Sequence, residues 1–171
     1  MTNRNYVPYH VHSYYSLLDS CTSPQEYIEK AAECGMKAFG WSCHGNIFNW
    51  YKKKQLCDQY GLKYLHGIEV YITETHDEKI KDNWHTVLIA KNYEGFKEIN
   101  NLFYKSYQPD HTYYKHRISV DEFLNISDNV IKISACIQSP IWQFRQSILN
   151  DTESSPDELQ RRKSKYYKML K

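Results

Sequence analysis

The run Tyr9-His10-Val11-His12-Ser13-Tyr14-Tyr15-Ser16-Leu17-Leu18-Asp19 decides how the rest of the chain is read. In extended backbone successive side chains alternate faces, so His10 and His12 project the same way and can grip one cation together. Neutral imidazole is the commonest metal-ligating side chain, and Asp19 lies just past the strand end, where binding residues of parallel-sheet folds collect. Taken alone, the pair reads equally as two partly exposed strand histidines. The segments downstream must settle it.

Working outward, Tyr6 to His12 is the expected first strand. Ser23-Pro24-Gln25-Glu26 then has an N-cap, a proline at N1 and a capping-box glutamate, and Gly35 supplies the stop, which predicts a helix between them. Lys37 to Ser42 is the second strand, running into Cys43-His44-Gly45-Asn46. A helix from about Ile47 to Tyr60 stops at Gly61. Leu62 to Ile72 is a strand passing through Gly67-Ile68-Glu69-Val70-Tyr71. Glu69, flanked by apolar residues, has a carboxylate that would be costly to bury alone, so it needs a cation or a strong donor. Trp84 to Ala90 is the fourth strand, with His85 near its start, and Tyr93 to Tyr107 the next helix. Residues 108–118 read as an aromatic loop, and Ser119 to Glu122 as a second capping box. Val130 to Cys136 is the fifth strand, followed by helices opening at Ser139-Pro140 and Ser155-Pro156. Strands alternating with helices argue for an α/β fold with a mainly parallel sheet, either a barrel or an open sheet.

Composition sets the outer bounds. A chain of 171 residues, 41% hydrophobic and 15% aromatic, can bury one proper core. No stretch is long and apolar enough to span a bilayer, and Met1-Thr2-Asn3-Arg4-Asn5 lacks the apolar centre of a signal peptide, so no membrane partner and a cytoplasmic location are expected. Five cysteines without a CxxC pair argue against a disulfide framework or zinc ribbon. A net charge of +2 implies no strong field for nucleic acid, and the basic run Arg161, Arg162, Lys163, Lys165, Lys168, Lys171 reads as a solvated helix face.

Collected in order, the candidate ligands are His10, His12, Asp19, His44, Glu69, His85 and Cys136, nearly all at the ends of separate expected strands. In a parallel barrel those ends share one rim, and such a set could hold more than one cation, with Glu69 bridging. That arrangement suits phosphate-ester hydrolysis, in which one cation activates water and another neutralises charge on the leaving oxygen. His66, His76, His111 and His116 fall in less ordered contexts and are set aside.

These segments resemble the polymerase and histidinol phosphatase (PHP) domain, in the form found at the N-terminus of bacterial replicative DNA polymerase III alpha subunits. The resemblance rests on His10 to Asp19, Cys43 to Asn46, Gly67 to Tyr71, His85 to Gly95, Tyr113 to Ile118 and Ser134 to Cys136, matching in order and spacing from about residue 6 to 142. It implies a distorted (β/α)7 TIM-like barrel and up to three divalent cations, zinc, manganese or iron. By position, His10, His12 and Glu69 would hold the first, and these three residues would stand closest to any catalysis. Glu69, His85 and Cys136 would hold the second, and Asp19 with His44 the third. The resemblance further implies a role in DNA replication, with polymerase domains of the same protein or other replisome subunits as partners and DNA met indirectly or at a 3′ end. Some members act as phosphoesterases or 3′ to 5′ exonucleases, and others are structural platforms. Two departures stand out. Cys43 occupies the usual place of an aspartate, at a position expected to lie outside the ligand shell, and no closing Asp-x-His motif occurs before Lys171. The expectation is therefore residues 1–171 as one PHP domain, its N-terminal part, with an incomplete barrel and only the second ligand set complete. Alternatives are a free-standing phosphatase of the histidinol phosphatase type and a catalytically silent docking domain.

Overall fold

The computed structural model describes residues 6–77 and 79–170, so the Met1–Asn5 stretch read for a signal sequence lies outside the described residues, as do Glu78 and Lys171. Helix α1 (Pro24–Glu33) forms where its cap chemistry demands. The Ser23 side chain accepts from the Glu26 amide while the Glu26 carboxylate accepts from the Ser23 amide, satisfying two otherwise orphaned donors. The helix ends at Gly35, whose φ of 71° is open to glycine without steric cost.

Strands β1 (Ala38–Gly40) and β2 (Lys63–Leu65) pair in parallel across helix α2 (Trp50–Gln59). Strand β3 (Gly67–Thr73) pairs with β4 (Trp84–Ala90) on one side and with β6 (Lys115–Ser119) on the other. Strands β5 (Thr112–Tyr113) and β7 (Val130–Ser134) form the edges of this five-stranded sheet, in the order β5-β6-β3-β4-β7. A parallel bridge between His44 and Glu69 links the end of the β1 segment to β3. Helices α3 (Tyr93–Ser106), α4 (Val120–Leu124), α5 (Pro140–Leu149) and α6 (Pro156–Met169) complete the described chain.

The fold is α/β as expected, but the sheet is mixed rather than mainly parallel. β4 runs antiparallel to β3, since the described residues of their connection hold no helix to carry the chain back, and antiparallel to β7 as well. The expected first strand also differs. Residues 6–12 form no strand and bend at His10: Pro8 has no amide hydrogen, and the backbone contacts are Gly40 N–H to Pro8 O at 2.7 Å and Ser42 N–H to Val11 O at 3.0 Å. Gly40 permits this approach, since a Cβ there would lie 2.9 Å from Tyr9 Cα. The expected strand from Leu62 to Ile72 is broken at His66 into β2 and β3. The aromatic loop contains a 3-10 turn (Pro109–His111) and the β5–β6 hairpin.

Two cores result. Ile68, Val70 and Ile72 of β3 join Trp84 and Leu88 of β4, Ile99 of α3 and Phe144 of α5. Ile28, Phe39, Trp41, Cys57 and Leu62 pack α1 and α2 on the smaller sheet. The alternation of β3 therefore sends its even residues into the large core and Glu69 and Tyr71 to the opposite face. The basic α6 is not only a solvated face. Arg162 forks onto Glu74 at 2.6 and 2.7 Å and also meets Asp151, pinning the helix to the end of β3.

His66 sits buried between Tyr64 Oη, 2.9 Å from Nδ1, and Asn100 Oδ1, 3.2 Å from Nε2. Burial, opposed by the Asn100 contact, lowers its pKa to about 4. The unfolded chain takes up this proton below about pH 6.5 and the folded chain does not until about pH 4. Stability is therefore fully present at neutral pH and falls as pH drops through that window, by up to ~3 kcal/mol. Denaturant midpoints of the parent and His66→Phe, compared between about pH 7.5 and about pH 5, should show a shallower fall in the variant; equal falls would remove His66 as the cause.

Candidate metal centre

Glu69 is 2% exposed in the middle of a wholly buried strand. Its carboxylate survives there because imidazoles from separate segments converge on it. His10 Nε2 lies 2.7 Å and His12 Nε2 3.2 Å from Oε2, and His85 Nδ1 lies 3.1 Å from Oε1. His44 Nδ1 approaches Oε2 at 3.5 Å without forming a hydrogen bond, and its Nε2 stands 3.3 Å from Asp19 Oδ2. The topology explains the convergence. His85 pairs with Tyr71 across the β3–β4 ladder and so shares the Glu69 face, while His44 reaches that face through its bridge to Glu69. The His10–His12 pair enters from the extended segment held against β1, both rings pointing the same way.

Burial alone would raise the Glu69 pKa, but hydrogen bonds from His10, His12 and His85 and the nearby His44 outweigh it and hold the carboxyl well below the usual range. The hydrogen bond to Glu69 raises the His10 pKa, opposed by partial burial. Burial lowers that of His44, opposed by the nearby Glu69 carboxylate.

An outer layer fixes these rings. Ser16 Oγ lies 3.3 Å from His12 Nδ1 and accepts the His44 amide hydrogen at 3.0 Å, tying two ligand segments together. Asn46 donates to the carbonyls of Tyr15 at 3.1 Å and His44 at 2.9 Å. Tyr71, 8% exposed, lies edge-on to His85 and stacks beside His44. None of these supports was singled out in the sequence, where a serine or asparagine inside a turn carries no signal of its partner.

The residues fit a cation. His10, His12 and Glu69 form one group of donors within 4.8 Å of one another, and His12, Asp19 and His44 form a second. Separations of 2.7 to 3.5 Å around Glu69 compare with roughly 3.3 Å between ligands of a tetrahedral ion bound at about 2.0–2.1 Å. Nδ1 of His44 is buried without a hydrogen-bond partner among the described residues, a further ring nitrogen at the site.

The PHP domain family matches residues 8–171. The chain belongs to this family. It is homologous to the N-terminal domain of DNA polymerase III subunit alpha. It is 33% identical over 147 residues to that protein from Aquifex aeolicus and 36% identical over 138 residues to that from Borreliella burgdorferi, matches that take in 80% and 77% of this chain. Those matches span only 13% and 12% of the relatives' own lengths. Among solved structures it is similar to an amidohydrolase from Chromobacterium violaceum, with a TM-score of 0.42 and 15% identity over 70% of this chain and 49% of the other. A proposed metal-dependent phosphoesterase from Bifidobacterium adolescentis gives a TM-score of 0.42 and 13% identity over 90% and 57%.

Within this PHP domain, His10, His12, Asp19, His44, Glu69 and His85 are brought together as the sequence suggested. Cys136 is not. It is exposed just past β7, its Sγ accepts the Gln138 amide hydrogen at 3.3 Å, and among the described residues no group of three close donors contains it or His85. The ligand set expected to be complete is thus the one left open, and the His10–His12–Glu69 set is the one assembled. Cys43 points away from the ligands, as its strand position predicts. Its Sγ lies 3.1 Å from Ser13 Oγ and 3.4 Å from Lys53 Nζ, and Lys53 is 2% exposed with no carboxylate partner among the described residues. Burial lowers the Lys53 pKa.

Two outcomes follow. Ser16→Ala should weaken divalent-cation binding about 10-fold, the usual cost of losing an outer support, with unchanged far-ultraviolet dichroism; undiminished affinity in a calorimetric titration would show that Ser16 does not position the rings. Cys43→Asp should give Lys53 an ionic partner and raise stability by ~1–3 kcal/mol in denaturant melts, and a lowered midpoint would contradict that.

Proposed function

We propose that this PHP domain is the N-terminal part of a replicative DNA polymerase III alpha subunit and carries a divalent-cation centre for phosphoester hydrolysis, with the 3′ end of DNA as the substrate. The observation that carries the proposal is the buried Glu69 carboxylate at the meeting point of the His10, His12, His44 and His85 rings. The named relatives supply the replication context, and the single-domain assignment of residues 1–171 and a distorted (β/α)7 barrel built on the described sheet belong to the same reading.

In this reading His10, His12 and Glu69 hold one ion, while Asp19 and His44 hold another with His12 beside them. Zinc, manganese and iron all suit imidazole with carboxylate, and zinc fits the close donor spacing best. A bound ion supplies a polarised water and neutralises charge on a phosphoryl oxygen. The chain's own contributions are placement and electrostatics. Glu69 offers oxygens to both sides of the site, and Ser16 holds the His12 and His44 segments in register. His10 lines the solvent side, with a side chain 34% exposed, and Asp19 is half exposed at 49%, so a substrate phosphate can reach both. The polymerase domains of the same protein and other replisome subunits are the proposed partners, in a cytoplasmic complex. No helix among the described residues is long and apolar enough to cross a membrane.

Purified protein should retain at least about one divalent cation per chain by elemental analysis, and should hydrolyse a chromogenic phosphodiester. The double change His10→Ala with Glu69→Ala should abolish the hydrolysis and lower the cation count by at least about one per chain. Hydrolysis that survives the double change places the chemistry elsewhere. Retained cation with no hydrolysis in the parent favours a docking domain, and preference for a small phosphomonoester over a DNA 3′ end favours the histidinol phosphatase type.

A further inference from the structure

Outside the Glu69 centre, a second group of metal-type donors forms from three segments far apart in sequence. His76 follows β3, His111 closes the 3-10 turn, and Glu122 stands in the first turn of α4. His76 Nε2 lies 3.2 Å from Glu122 Oε2, and His111 Nε2 lies 3.2 Å from Oε1, so each ring addresses its own oxygen of one carboxylate. The ring centroids are 4.0 Å apart, and the three side chains are only 16%, 16% and 20% exposed.

We propose that His76, His111 and Glu122 form a second, separate binding site for a borderline divalent cation of the zinc class, one that clamps the β3–β4 connection, the 3-10 turn and α4 together. Two imidazoles and a carboxylate are a donor set for zinc, nickel or cobalt rather than for magnesium or calcium, which take oxygen ligands. The donor separations of 3.2 Å match the roughly 3.3 Å expected between ligands of a tetrahedral ion.

The surroundings favour binding. His111 Nδ1 faces Asp110 Oδ1 at 3.0 Å, the carboxylate-to-imidazole contact that orients a metal ligand and strengthens its basicity. Among the described residues Nδ1 of His76 is buried without a partner, and the ring's hydrogen bond is made by Nε2 to the Glu122 carboxylate. Glu122 is ionised: burial would raise its pKa, but hydrogen bonds from His76, the Ser119 amide and His111 hold it at about 2. The backbone bond from Ser119 N–H to Oε2, at 2.9 Å, fixes the carboxylate in place before any ion arrives. Lys105 Nζ is an opposing cation 3.8 Å from Oε1, and its side chain is 59% exposed and free to swing away. Three protein ligands leave a fourth position open. His76 also lines a cavity of about 590 Å³ shared with Ser119 and Arg161, through which water can complete the shell.

The test uses the full chain, stripped of metal and titrated with zinc chloride. Calorimetry should show that the double variant His76→Gln with His111→Gln loses one zinc equivalent relative to the parent, while the variant His10→Gln with His12→Gln keeps that equivalent. An unchanged zinc count in the first variant overturns the proposal. A measurement without any substitution guards against a variant that fails to fold. In the unmodified protein, the ring nitrogen resonances of His76 and His111 should shift on zinc addition, and rings that keep their metal-free resonances at saturating zinc overturn the site outright.

Discussion

A carboxylate buried in the middle of a strand whose every residue is inaccessible is the constraint around which this molecule is arranged. Glu69 lies on β3, the strand that the even-numbered residues Ile68, Val70 and Ile72 lock into the larger core. Its charge cannot move to water without pulling that core apart, and an unpaired ion there would cost several kcal/mol. The fold answers by bringing polar nitrogens to it. The His10–His12 pair arrives along the β1 segment, His44 through its bridge to β3, and His85 across the antiparallel ladder. The demand that makes β3 a core strand is thus the same demand that gathers the ligands.

The layer behind the ligands shows how far that demand reaches. Ser16 touches both the His12 ring and the His44 amide, and Asn46 ties the Tyr15 carbonyl to the same turn. Beneath them Lys53 is buried against Cys43, between the rings of Tyr15 and Trp41. The Cys43 thiol, where the resemblance leads one to expect an aspartate, gives that ammonium a weak partner, yet it leaves the ligand face untouched, because neighbours on an extended segment point to opposite sides. The substitution therefore bears on stability more directly than on the cation centre.

The two donor clusters illustrate different ways of building the same chemistry. Around Glu69 the ligands come from extended segments and sheet strands, held by ladders and a packed core. Around Glu122 they come from a connection, a 3-10 turn and the first turn of a short helix, held by a capping box and side-chain contacts. The first arrangement is rigid because its backbone is paired on several sides. The second is joined by side-chain contacts between its segments, so a bound ion would add a constraint that the backbone does not supply.

Much of this was legible in the residues themselves. The capping boxes at Ser23 and Ser119 and the proline-led starts of α5 and α6 are local, so they form where the sequence places them. The alternation that aims His10 and His12 together and the apolar flanks that bury Glu69 are also local, and they marked most of the centre in advance. What needed the tertiary structure was everything that depends on which segments meet. A period of two is the same for parallel and antiparallel strands, so the direction of β4 was set by its connection and by packing rather than by its own residues. Cys136 shared the strand-end signature of a ligand, yet it stands exposed past an edge strand. His76 and His111 carried no periodic signal, and Glu122 already had a role as a cap, so their convergence could not be read along the chain. Sequence determined which side chains could serve as ligands, because that is covalent chemistry and local backbone geometry. Only the folded chain decided which of them share a site, because that depends on contacts between residues tens of positions apart.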